Sequence, residues 1–74
     1  MATEVLDAKG LNCPLPILKA KKAITQLTAG ETLQIFATDP GSVRDFEAFC
    51  HSSGHQLLES GEAGGVFHYL IKKS

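Results

Sequence analysis

The 74 residues suit one domain spanning positions 1–74, and 43% apolar with 20% charged content excludes a disordered or collagen-like chain. Seven basic against eight acidic side chains leave a net charge of −1, which offers no overall positive field to a phosphate backbone and disfavours direct nucleic-acid binding. No apolar run nears the roughly 20 residues that cross a bilayer, and Met1-Ala2-Thr3-Glu4 opens no secretory signal, so a cytoplasmic, reducing location is expected.

Glu4 to Ala8 reads as a short strand, and Lys9-Gly10-Leu11-Asn12 as a loop. A helical pattern follows from about Pro14 to Leu27. At 100° per residue, Ile17, Ala20, Ala23, Ile24 and Leu27 share one arc of about 120°, with Lys19, Lys22 and Gln26 opposite. Gly30 suits a left-handed stop. Thr32 to Thr38 alternates as a strand, with Leu33, Ile35 and Ala37 on one side and Phe36 on the other. A second helix is expected to about Ser52, capped by Asp39 or by a box-like Ser42–Asp45 pair. Its apolar arc holds Val43, Phe46, Phe49 and Cys50, and Gly54 ends it. His55–Ser60 and Val66–Lys72 read as strands joined across Gly61-Glu62-Ala63-Gly64-Gly65.

The order β-α-β-α-β-β predicts an α/β (α+β) two-layer sandwich, a four-stranded mixed sheet with two helices on one face. Two strand–helix–strand units make parallel neighbours with right-handed crossovers, and the final hairpin adds an antiparallel strand. The other sheet face stays open, with Phe36 on it. Both helix N-termini then sit at the carboxyl edge of the parallel strands, where open α/β sheets bind ligands. Cys13 and Asp39 each precede a helix, which places both at that edge.

Cys13-Pro14-Leu15-Pro16 is the most distinctive local feature. Proline is tolerated in a first helical turn because its missing N–H has no intrahelical partner there. Two prolines fix the angle at which the helix begins, and Cys13 becomes the expected cap. The N–H groups of Leu15 and Ile17 and the helix dipole then favour a thiolate, lowering its pKa from about 8.5, with Lys21 and Lys22 adding positive potential. The bland alternative is a cysteine that merely caps, a task Ser, Asp or Asn performs better. Pro16 occupies the place of the second thiol in a Cys-x-x-Cys motif, so one cysteine acting alone is indicated.

Cys50 lies in an apolar arc beside Phe46 and reads as a packing residue. Its level is about 15 Å along the helix from that of Cys13, too far for a bridge whose Cα atoms lie within about 7 Å. His51, His55 and His68 are scattered, so no metal site and no general base beside Cys13 is expected. Leu15 and Leu18 fall outside the core arc near Cys13. With Lys21 they form either a docking patch or ordinary exposed leucines, and Asp39 is a cap, a partner contact or both.

The run Leu6-Asp7-Ala8-Lys9-Gly10-Leu11-Asn12-Cys13-Pro14-Leu15-Pro16 resembles the signature of the TusA (SirA-like) family of sulfur carriers and sulfurtransferases. Gly30-Glu31-Thr32-Leu33, Asp39-Pro40, Asp45, Phe49-Cys50 and Tyr69-Leu70-Ile71-Lys72-Lys73 resemble its later landmarks. The resemblance implies the same βαβαββ sandwich and a persulfide carried on Cys13. It further implies a donor protein (a cysteine desulfurase, a rhodanese or another carrier) and an acceptor protein serving tRNA thiolation, molybdenum-cofactor maturation or sulfur oxidation. Leu18, Lys21 and Asp39 become expected docking contacts, and no cofactor is needed. The state expected is a monomer or a weak oligomer. A regulatory interaction module using the Cys-Pro-x-Pro turn as a surface is the principal alternative, and an RNA-binding domain is a third.

Overall fold

The structure is a computed structural model and describes residues 3–12 and 14–74; Met1, Ala2 and Cys13 lie outside the described residues, and with Cys13 the expected site of chemistry. The elements are β1 (Thr3–Ala8), α1 (Leu15–Thr25), β2 (Thr32–Ala37), α2 (Ser42–Ser53), β3 (Gln56–Ala63) and β4 (Val66–Lys72). α1, β2 and α2 follow from the helical periodicity or alternation of their residues, and the expected order holds.

The sheet has the order β1-β2-β4-β3. β1 and β2 are parallel, with Leu6 opposite Ile35 and Ala8 opposite Ala37, while β4 runs antiparallel to both β2 and β3. The two parallel-neighbour units expected from the sequence are therefore one. β4 enters between β2 and β3 and splits the second unit. Its mostly apolar, aromatic run Val66-Phe67-His68-Tyr69-Leu70-Ile71 suits a central strand, whose backbone is paired on both edges.

Leu33, Ile35 and Ala37 of β2 and Tyr69 and Ile71 of β4 face the helices and are buried. α1 contributes Ile17, Ala20 and Ile24 to this core, and α2 contributes Phe46 and Cys50. Phe46 stacks on Tyr69 with ring centroids 4.6 Å apart. Phe36 occupies the opposite sheet face, half-buried, with the Lys9 ammonium 5.9 Å from its ring centroid.

Several boundaries differ from the sequence reading by one residue, and two differ by more, at the ends of α1 and β3. α1 ends at Thr25 rather than Leu27, because Gln26 and Leu27 donate to the carbonyls of Ala23 and Ile24 in a tightened last turn. Leu27 remains buried all the same. The β3–β4 turn is only Gly64-Gly65, both at positive φ (58° and 83°), which fits the twist-matched two-residue hairpin turn. β3 thus reaches Ala63, and a register shift between Leu57 and Glu59 accommodates its extra residue.

Candidate functional site

The carboxyl ends of β1 and β2 stop side by side at Ala8 and Ala37, both fully buried under the helices. The two loops that leave them are joined: Gly10 N–H donates to Thr38 Oγ1 at 2.9 Å. The first loop is also tied to itself, with Lys9 N–H donating to Asp7 Oδ1 (3.0 Å) and Leu11 N–H to the Ala8 carbonyl (3.3 Å). Gly10 sits at φ 82°, a conformation that disfavours any side chain there. The backbone leading to position 13 is therefore fixed by hydrogen bonds rather than by core packing.

On the far side of position 13, Pro14 is the cap of α1 (φ −98°, ψ 16°) and makes no side-chain cap bond. Leu15 N–H donates to the Asn12 carbonyl at 2.9 Å; its expected approach to the Cys13 sulfur lies outside the described residues. Pro14 has no N–H of its own, so the Leu15 N–H is the first backbone donor of the helix entrance. Pro16 is fully buried and anchors the first helical turn, while Asn12, Pro14 and Leu15 are exposed. That first turn carries no acidic residue to oppose the positive end of the helix dipole.

Leu18 lies exposed beside Leu15 on the outer side of α1, outside the core arc as expected. Lys21 turns toward α2, with its ammonium 5.9 Å from the Phe49 ring centroid. An open groove of about 350 Å³ runs between the helices there, floored by Ile17, Ala48 and Phe49 and bounded by Pro14 and Asp45. Asp39 stands at the start of α2, on the loop joined to Gly10. Its Oδ1 accepts from Gly41 N–H (3.3 Å), and its carbonyl accepts from Ser42 N–H (3.0 Å). Gly41 is the cap of α2, and Asp39 stabilises the turn before it.

The box-like Ser42–Asp45 cap does not form. Ser42 is buried, and its hydroxyl pairs with the Tyr69 hydroxyl at 2.8 Å. Neither this bond nor the Gly10–Thr38 bond was visible in sequence. Both join residues 27 or more positions apart, and only a hydroxyl at an otherwise apolar position of β4 hinted at one of them.

Cys50 is 6% exposed and free, and burial raises its pKa above the ordinary thiol value, so it stays a protonated, poorly reactive thiol. His51 is exposed. His55 is tied to the C-terminal residues, its Nδ1 accepting from Ser74 N–H at 3.0 Å. Among the described residues, no group of three or more His, Cys, Asp or Glu side chains is placed to hold a metal ion, and no helix is long and apolar enough to cross a membrane.

The model of the sulfurtransferase TusA family matches residues 4–73. The chain belongs to the TusA family. It is 61% identical over 69 residues to the sulfur carrier protein TusA of Allochromatium vinosum, covering 93% of this chain and 91% of that one. To the protein of the same name in Pseudomonas putida it is 46% identical over 69 residues, covering 93% and 86%. A crystal structure of a SirA-like protein from Desulfitobacterium hafniense superposes with a TM-score of 0.83 at 27% identity, covering 96% of each chain. The TusA-family match and this shared fold agree with the resemblance carried by the Cys-Pro-x-Pro run.

Proposed function

We propose that this chain is a sulfur carrier that holds sulfane sulfur as a persulfide on Cys13. One observation carries the reading: a TusA-family chain has two cysteines, and the one within the Cys-Pro-x-Pro run has exposed neighbours while the other is sealed in the core. A carrier needs one accessible thiol and a face for partners rather than an enclosed pocket. Names given to its relatives, sulfur carrier proteins, support the same role.

The transfer needs no net oxidation. The Cys13 thiolate attacks the outer sulfur of a donor's cysteine persulfide; a new S–S bond forms at Cys13, the donor's S–S bond breaks, and the donor thiolate leaves. The acceptor's thiolate then attacks the outer sulfur on Cys13 and releases the Cys13 thiolate. The acid-free first turn of α1 favours both anions. No cofactor takes part, and specificity lies in docking, with Leu18, Lys21 and Asp39 as contacts. The donor is a cysteine desulfurase, a rhodanese or another carrier, and the acceptor serves tRNA thiolation, molybdenum-cofactor maturation or sulfur oxidation.

The test is transfer of radiolabelled sulfur from cysteine through a cysteine desulfurase, or from thiosulfate through a rhodanese. Label is expected on the wild type and on Cys50→Ala, and not on Cys13→Ser. Equal labelling of Cys13→Ser would overturn the proposal.

A further inference from the structure

Cys13 stands between two segments that are held very differently. After it, Pro16 is buried and seats the first turn of α1 in the core. Before it, Lys9, Gly10 and Asn12 are exposed and Leu11 is only half-buried, so packing does little to hold this run. Its described backbone bonds are of two kinds. Lys9 N–H to Asp7 Oδ1, Leu11 N–H to the Ala8 carbonyl and Leu15 N–H to the Asn12 carbonyl each join residues two or three apart. They shape the run locally without fixing it against its neighbours. The Gly10 N–H, by contrast, donates to Thr38 Oγ1, 28 positions away. The Lys9 ammonium also reaches the Phe36 ring, but at the end of a flexible stem that leaves the backbone free.

Thr38 is well placed to be the fixed point. It directly follows Ala37, which is fully buried at the end of β2. The turn after it is closed by Asp39, whose Oδ1 accepts from Gly41 N–H and whose carbonyl accepts from Ser42 N–H. Ser42 is bonded in turn to Tyr69 in the core. Around Gly10 there is open space where a Cβ would sit, so the hydroxyl and not crowding holds the loop at that amide.

We propose that Thr38 is a positioning residue for Cys13: its hydroxyl holds the Gly10 amide and so keeps the thiolate in the field of the N-terminal end of α1. The inference rests on the carrier reading, which makes Cys13 the reacting group. Gly10 and Cys13 are three residues apart, a reach of roughly 10 Å in extended chain, whereas the field of a helix end fades within about one turn. Releasing Gly10 lets the entering backbone, and the thiolate with it, swing away from the helix end. Charged groups on the elements around this entrance include Asp7 and Lys9 beside β1, Asp39 after β2, Lys21 on α1, and Arg44 and Asp45 on α2. Replacing Thr38 changes none of them, so an altered thiol reports position rather than charge.

The test is the pH profile of Cys13 alkylation by iodoacetamide on the full chain, resolved by peptide mass analysis. In Thr38→Val the midpoint should rise by about half a pH unit, the loss of much of a surface helix-end interaction. The rate at high pH should stay within about twofold of the wild type, because a less acidic thiolate is only slightly more nucleophilic. Thr38→Ser keeps the hydroxyl and should restore the wild-type midpoint. Thr25→Val removes a hydroxyl bond to the Lys22 carbonyl near the other end of α1 and should leave the midpoint unmoved. An unmoved midpoint in Thr38→Val, no restoration by Thr38→Ser, or an equal rise in Thr25→Val would overturn the proposal. Loading of Cys13 by inorganic polysulfide is measured on the same samples. Loading with an unmoved midpoint removes the positioning inference alone, and failure of the wild type to load removes the carrier reading.

Discussion

Ser42 and Tyr69 meet through their hydroxyls at 2.8 Å in the buried layer between α2 and β4. The bond joins the first residue of α2 to the central antiparallel strand, and so fixes where the Asp39 loop ends. Tyr69→Phe leaves the Ser42 hydroxyl without this partner and is expected to cost about 1–2 kcal/mol in denaturant unfolding. Ser42→Ala should cost a similar amount. The double variant should cost less than the sum, with a coupling of roughly 0.5–1.5 kcal/mol. Strict additivity would show that the two groups do not act as a pair.

The Gly10–Thr38 bond is exposed and lies beside the site rather than in the core. Thr38→Val, nearly the same shape without the hydroxyl, should change global stability by less than about 1 kcal/mol. Hydrogen exchange at the Gly10 amide should accelerate several-fold, because this bond is what protects it. Unchanged exchange would mean that the loop before Cys13 is held by something else.

The two cysteines should separate cleanly. Cys50→Ala removes a buried sulfur and is expected to destabilise by about 1–2 kcal/mol while leaving sulfur loading intact. Cys13→Ala should do the reverse. Alkylation of the native protein followed by peptide mass analysis offers a second check, with Cys13 modified first and Cys50 only at the rate of unfolding.

Burial raises the pKa of the Cys50 thiol above 9.0. Burial likewise raises that of the Tyr69 phenol above 10.0, with Glu47, Asp39 and Asp45 adding to the rise and the Ser42 hydrogen bond opposing it. Both groups are neutral when protonated, so the folded state holds these protons more tightly than the unfolded state. Their contribution is complete below the unfolded values and is lost progressively as pH rises through about 9 and then 10 toward the raised folded values. Unfolding midpoints should therefore fall on the alkaline side. Cys50→Ala should flatten the first part of that fall, and Tyr69→Phe the second.

Much of the fold could be read from the chain because its helices are amphipathic and β2 alternates strictly. Ile17, Ala20, Ile24 and Leu27 on one arc, and Leu33, Ile35 and Ala37 on one side of β2, define the core by periodicity alone. The position of β4 could not be read in the same way. Strand order depends on which apolar face is covered best, a comparison between elements rather than a property of one. Around the candidate site, what could be read was local: proline in a first turn and leucines off the core arc. It was not legible where a hydroxyl reaches across the fold, as Thr38 does to Gly10 and Ser42 to Tyr69. The donation of the Leu15 N–H to the Asn12 carbonyl was not legible either, because it depends on how the backbone enters the helix rather than on residue type.

Sulfur is proposed to ride on Cys13 alone. The most direct measurement is peptide-resolved mass analysis of the native protein after brief exposure to inorganic polysulfide, with persulfides trapped by alkylation. The expected result is one added sulfur on the peptide containing Cys13, removed by a thiol reductant, with none on the peptide containing Cys50. Sulfur absent from Cys13, or present equally on Cys50, would contradict it.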